Sequence, residues 1–361
     1  MAKLRARDLG IPFEGSPGTF NTITDVAGVT VGYATLIEGE SVRTGVTIIH
    51  PRGSGDHTPV YAGIHSFNGN GEMTGAAWVE EGGLLEGPLG ITNTHSVGIV
   101  RDTIIAWQVK HQALYQPWSM PVVAETADGW INDMNGFHVK EGHVMQALNS
   151  AGAGRIEEGN VGGGTGMLCY EFKGGTGTSS RKLPDKLGGW TVGVLAQCNF
   201  GRRYQLTLAG VPVGHYLTED APLTNGENPF QQDSGSLIVV IATDAPVLPH
   251  QLKRLAKRAA LGMARTGSLG GNGSGDIFIA FSTANPEAAH GDELGLSNIR
   301  ALNNNHIDPL LSASALATEE AIINAMVAAE DMTGRDGTKA RALPHEKVRE
   351  ILKTHNRIQK G

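Results

Sequence analysis

Hydrophobic and polar positions along the chain follow two different rhythms. Residues 22–36, TITDVAGVTVGYATL, and residues 42–50, VRTGVTIIH, are dense in Val, Ile and Thr with glycines between them. This pattern predicts strands. GWTVGVLAQC (189–198), LIVVIAT (237–243) and DIFIAFST (276–283) read as further, buried strands. Helical spacing takes over in other segments. Leu252, Leu255, Ala256, Ala259 and Met263 share one face of a helix over 249–266, with Pro249 in its first turn and Gly267 at its end. Lys253, Arg254, Lys257 and Arg258 lie opposite, as a solvated face would. THSVGIVRDTIIAWQVKH (94–111) and GFHVKEGHVMQALNSAG (136–152) each predict a helix. A later helix is expected from an N-cap at Thr318, followed by two glutamates in the first turn, and a last one over 344–355. Strands and helices interleave, so the expectation is one α/β domain spanning residues 1–361. Residues 218–235 are polar with two prolines and predict an exposed loop open to nicking.

Fifty glycines are about twice the usual share of roughly 7%, which argues against a helical bundle. They concentrate in FNGNGEMTG (67–75), GNVGGGTGM (159–167), KGGTGTSSR (173–181) and GSLGGNGSGD (267–276). None has the form of a nucleotide loop. GGNGSG precedes a strand, where a dinucleotide fingerprint would follow one, and GNVGGGTGM lacks the closing Lys-Ser/Thr of a P-loop. These stretches read better as places where backbone meets backbone.

A net charge of −7 speaks against nucleic acid or an anionic membrane as partner. No apolar run approaches the roughly 20 residues of a membrane span. Two cysteines, Cys169 and Cys198, make no disulfide framework. With no signal-peptide pattern at the start, the expectation is a cytoplasmic protein. No metal is expected: the thirteen histidines, His65, His95 and His143 among them, form no zinc motif. Cys198 ends an apolar strand and reads as a buried thiol.

Ser236 is the remaining nucleophile. It stands at the joint between polar QQDSG (231–235) and the apolar strand. An N-terminal serine carries its own base, an α-amino group with a pKa near 8, but only if the chain is cut before it. Gly235 offers no side chain to block that cut. By itself, Gly-Ser before a strand is also an ordinary loop boundary.

The ordered blocks FNGNGEMTG, PVVAETADGWIND (121–133), GNVGGGTGM, KGGTGTSSR, LAQCNFGRR (195–203), DSGSLIVVIATDAP (233–246) and GGNGSGDIFIAFST (270–283) decide between these readings. Together, from about residue 10 to 340, they resemble the DmpA family of L-aminopeptidase/D-Ala-esterases and β-peptidyl aminopeptidases. The resemblance implies an αββα sandwich with N-terminal-nucleophile layering, similar to ornithine acetyltransferases. It implies self-cleavage at Gly235–Ser236 into an α-chain 1–235 and a β-chain 236–361, with Ser236 as nucleophile. By the same resemblance Ser274 is the second active-site serine, Asp276 orients the new amino group, Asn199 supplies the oxyanion hole, and Glu125 pairs with the substrate's amine. Short peptides, amides or esters would be the substrates, no cofactor would be needed, and cut pairs would assemble, as tetramers in the family.

One position departs from the pattern. Ala127 stands where relatives carry a tyrosine that lines the oxyanion site, so the donor is missing or comes from Tyr61 or Tyr170. Local alternatives stay open for the other positions: Ser274 bonding a glycine turn, Asp276 capping it, Glu125 pairing with Arg101. Two rival functions stay open as well: a hydrolase of nylon-like amide oligomers with the same architecture, and an uncut, inactive scaffold.

Overall fold

The computed structural model describes residues 3–222 and 235–359. Most of the expected nicking loop therefore lies outside the described residues. In chain order the strands of the first part are β1 (Thr30–Glu38), β2 (Val42–His50), β3 (Val60–Ser66), β4 (Leu84–Leu85), β5 (Leu89–Asn93) and β6 (Val123–Thr126). A two-stranded ribbon follows, β7 (Leu168–Cys169) with β8 (Phe172–Lys173). Then come β9 (Gly175–Lys182), β10 (Thr191–Asn199), β11 (Ser236–Thr243) and β12 (Gly275–Ser282). The helices are α1 (Ala76–Gly82), α2 (Val97–Lys110), α3 (Glu141–Asn149), α4 (Pro249–Arg265), α5 (Asp308–Val327) and α6 (His345–Thr354).

Two sheets carry the fold. One has the order β1-β2-β5-β6, the other β4-β3-β12-β11-β10-β9. Strand alternation shows how they are layered. Along β11, Ile238, Val240 and Ala242 join a core with Val31, Ile49 and Ile91 of the first sheet. Leu237, Val239 and Ile241 point the other way and pack with Leu252, Leu255 and Ala321 of α4 and α5. A period of two thus buries both faces of one strand. On the far side of the first sheet, Val46 and Ile48 pack with Ile104 and Trp107 of α2 and Val144 and Leu148 of α3. The result is the αββα sandwich.

Several expectations need correction. Residues 22–36 do not form one strand: Ile23–Asp25 is a 3₁₀ turn, and β1 begins at Thr30. Thr318 is not an N-cap. It lies inside α5, which starts ten residues earlier at Asp308, and its hydroxyl donates to the Ser314 carbonyl at 2.8 Å. From Ala317 to Val327 α5 is buried on every side, including Glu319 and Glu320, so its pattern shows no polar face from which to trace the helix back to Asp308. By length and composition α5 could cross a membrane, but 89% of its most apolar 18-residue stretch is buried inside the protein. KGGTGTSSR is not a loop; it contains most of β9. A Cβ on Gly177 would stand 2.0 Å from the Ala321 carbonyl oxygen, so the missing side chain lets α5 lie directly on the strand. Here the expectation of close backbone approach holds.

Candidate active site

The register of the second sheet assembles the site. Ser236 opens β11, pairs antiparallel with Asn199, the last residue of β10, and pairs parallel with Gly275, the first of β12. Leu195 of β10 and Ile238 of β11 both face the first sheet. Alternation therefore brings Asn199 and Ser236 out on that same face, where the strands run out into a cavity of about 680 Å³. Gly71, Glu72, Thr94, Glu125, Ala127, Trp130, Asn199, Gly235 and Ser236 all line it. Five positions singled out in the sequence thus meet around one space.

The Ser236 hydroxyl donates to the Gly235 carbonyl oxygen at 2.7 Å, and the Gly275 N–H donates to the same oxygen at 3.0 Å. The hydroxyl oxygen lies beside the carbonyl carbon of its own peptide bond. The Gly275 amide stands where charge would build on Gly235 O during attack. Such a fixed donor stabilises developing negative charge without reorganisation. A Cβ on Gly235 would stand 2.6 Å from the Asn199 carbonyl oxygen and 2.7 Å from the Phe200 Cα, and backbone cannot swing aside. Gly235→Ala should shift this peptide. Misplacements of about 1 Å cost on the order of 10²-fold in rate, so cleavage should slow about 10²-fold. The check is the persistence of uncut chain in intact-mass spectra taken over time.

Asn199 is held at both ends of its carboxamide. Its Oδ1 accepts from the Leu168 N–H at 3.0 Å, and its Nδ2 donates to the Ala127 carbonyl at 2.9 Å. An amide nitrogen has two hydrogens, so one N–H stays free for an oxyanion. Ala127 contributes its carbonyl here and no hydroxyl. Neither suggested tyrosine replaces that hydroxyl in the cavity. Tyr170 is fully buried with its hydroxyl bonded to Thr266 Oγ1 at 2.7 Å, and Tyr61 lines a separate pocket with Pro249 and Lys253.

Glu125, at the end of β6, is buried at 3% exposure. Its Oε1 accepts from the Glu72 N–H at 2.9 Å, and its Oε2 accepts from the Thr94 hydroxyl. Burial raises its pKa, the two donors oppose that rise, nearby Glu72 adds to it, and His95 lowers it. Arg101 is engaged with Asp102 instead.

Ser274 and Asp276 sit beside this cavity, and among the described residues they are not part of its wall; Gly273 is. Asp276 alternates with Ile277, whose side chain faces the first sheet. The two side chains bond each other, Ser274 Oγ donating to Asp276 Oδ1 at 2.8 Å. Asn68 Nδ2 donates to Asp276 Oδ2, also at 2.8 Å. Sequence reasoning missed Asn68, Thr94 and the Glu72 amide. Asn68 and Glu72 lie in FNGNGEMTG, which drew notice for its glycines, and 208 positions separate Asn68 from Asp276. Among the described residues no group of three or more His, Cys, Asp or Glu is placed to hold a metal.

The model of peptidase family S58 matches residues 21–340. The chain belongs to peptidase family S58. It is accordingly a hydrolase. It is 52% identical to beta-peptidyl aminopeptidase BapA of Sphingosinicella microcystinivorans, over 98% of this chain and 93% of the relative. The structure of the L-aminopeptidase D-Ala-esterase/amidase from Ochrobactrum anthropi, described as a variant of the Ntn hydrolase fold, superposes with a TM-score of 0.91. That protein is 47% identical, with 98% of this chain and 99% of that chain covered. A Burkholderia sp. beta-aminopeptidase gives a TM-score of 0.88 at 48% identity, covering 97% and 99%. This S58 chain therefore shares the Ntn-type layering along nearly its whole length, and the cavity at Ser236 lies where its two sheets meet.

Proposed function

We propose that this chain is a self-processing N-terminal serine aminopeptidase that removes the first residue from short peptides, amides or esters. The observation that carries this reading is the meeting of Ser236, Asn199 and the buried carboxylate of Glu125 around one cavity. In maturation the Ser236 hydroxyl attacks the Gly235 carbonyl carbon. The C–N bond to Ser236 breaks, its nitrogen takes the proton, and an ester links the two residues. Water then hydrolyses that ester and frees the Ser236 amino group. In turnover this amine accepts the hydroxyl proton as Ser236 attacks the substrate carbonyl. The free N–H of Asn199 holds the oxyanion, the amine product leaves with the proton, and water releases the acyl group. Ser274 and Asp276, joined to each other and to Asn68, steady the β12 end beside which the new amino group is freed.

Glu125 makes the free amine of the substrate a requirement. N-acetylation of a β-alanyl or L-alanyl p-nitroanilide removes the ammonium, and a buried carboxylate left facing a neutral acetamide loses a charged partner. Losing such a partner costs about 3–5 kcal/mol, so kcat/KM should fall by at least about 10²-fold. Equal turnover of free and acetylated substrates would overturn the aminopeptidase reading. The curated relatives named as β-peptidyl aminopeptidases favour β-amino acyl groups as part of the range. A cytoplasmic setting accords with the two buried free thiols, Cys169 and Cys198. An assembly of cut pairs would cover exposed apolar side chains such as Leu294 and Leu296.

A further inference from the structure

Glu125 is poised unfavourably for its proposed work. Burial is the largest influence on it and favours the neutral acid, and Glu72 adds a like charge. A neutral acid would not hold an ammonium ion. Two donors reach it from separate elements. The Glu72 N–H comes from the glycine-rich turn before α1, and the Thr94 hydroxyl comes from the 3₁₀ turn that follows β5. The parallel pairing of β5 with β6, Thr92 opposite Glu125 and Asn93 opposite Thr126, delivers Thr94 to this place. Thr94 also lines the cavity.

We propose that Thr94 is a positioning residue for substrate recognition: its hydroxyl fixes one oxygen of Glu125 so that the remaining lone pairs face the incoming ammonium. The proposal rests on the reading of Glu125 as the amine acceptor. Each donor occupies one acceptor position on its oxygen, so about two of roughly four stay open to the cavity. A hydroxyl donating to a carboxylate favours the ionised form. Its removal would let the acid hold its proton to higher pH. Of the charged groups around Glu125, Glu72 acts with burial and His95 against it, and Glu171 and Arg202 line the same cavity. Thr94 should therefore help most on the acid side, where without it only the Glu72 N–H and His95 would oppose burial and the like charge.

The test compares kcat/KM for β-alanyl p-nitroanilide with that for propionyl p-nitroanilide, which lacks the amine, between pH 5 and 7.5. Both substrates need the same Ser236 amino group, so its titration cancels in the ratio. Matured wild type, Thr94→Val, Thr94→Ser and Glu125→Gln are compared, each first shown by intact mass to be cut. Glu125→Gln should collapse the ratio at every pH. Thr94→Val should lower it on the order of tenfold at the acid end of this range, the worth of a hydrogen bond to a charged group, and by less as the pH rises. Thr94→Ser should restore it to within about twofold. If Glu125→Gln collapses the ratio while Thr94→Val tracks wild type, the Thr94 proposal fails and the Glu125 reading stands. A Thr94→Val loss equal for both substrates means a merely structural role and also overturns the proposal. A ratio untouched by Glu125→Gln removes the amine-acceptor reading and the proposal with it.

Discussion

A Ser236→Ala chain should run as one polypeptide of 361 residues and hydrolyse none of the substrates. Two steps depend on the same oxygen. In the uncut chain that oxygen lies against the Gly235 carbonyl, 2.7 Å from its oxygen atom. Alanine has nothing to attack with, so the C–N bond stays closed and no N-terminal amine appears. In a matured enzyme the same oxygen would carry the acyl group. Removing a catalytic serine from a hydrolase lowers kcat by about 10⁴-fold or more, and here the base is lost with it because the base is the amine that cleavage frees. Intact mass of denatured protein, read together with turnover of an aminoacyl p-nitroanilide, checks both steps. Cleavage at residue 235 in the alanine variant, or undiminished turnover by an uncut chain, would end the Ser236 mechanism. Hydrogen for hydroxyl at the strand mouth removes a single oxygen atom, so the variant should keep its fold.

Asn199→Ala should lower kcat by about 10²–10³-fold, with KM nearly unchanged. Loss of one oxyanion donor costs roughly 3–4 kcal/mol in the transition state, and the ground-state carbonyl gains little from it. The carboxamide also ties Leu168 to Ala127, so alanine removes a strut as well as a donor. Asn199→Asp keeps the Leu168 half of the strut. An aspartate can still accept from the Leu168 N–H but offers no N–H to an oxyanion or to the Ala127 carbonyl, and its charge repels both, so its kcat should fall at least as far as that of alanine. Wild-type kcat in both variants would move the oxyanion hole elsewhere. Ala127 brings no tyrosine hydroxyl to share this load. The deficit should therefore lie at the upper end of the range.

The parts of this fold legible in the sequence are those where one face differs from the other. The amphipathic α4 matches its expected span to within a residue or two, with Lys253 on its exposed side paired to Glu80. β11 and β12 announced themselves as apolar runs because both of their faces are buried. The same all-round burial concealed the start of α5, whose polar residues are satisfied inside the protein. Thr318 bonds back to Ser314, and Glu320 bonds Arg7 and Arg181. Glycine hid β9, since a strand that lets a helix lie on its backbone has few side chains to show a period. In the site, four positions named from the family resemblance, Ser236, Asn199, Glu125 and Ala127, line one cavity, while Ser274 and Asp276 lie beside it. The groups that hold them were invisible because a hydroxyl at 94 and a backbone N–H at 72 acquire meaning only when three distant segments meet.

The place of Ser236 in its sheet also bears on the number of molecules that folding requires. β11 and β12, from beyond the proposed cut, lie between β3 and β10, from before it. Arg7 and Arg181 of the first piece grip Glu320 of the second inside the core. A cut at the mouth of β11 leaves every one of these pairings in place, so the nicked protein holds together as firmly as the intact one. Unfolding is another matter. The intact chain refolds as a unimolecular reaction, whereas two separated pieces must first find each other, because the six-stranded sheet needs strands from both. Once matured, the enzyme would have only its unfolding barrier to preserve it. Its recovery after heating or denaturant would fall with dilution, while that of an uncut Ser236→Ala chain would not.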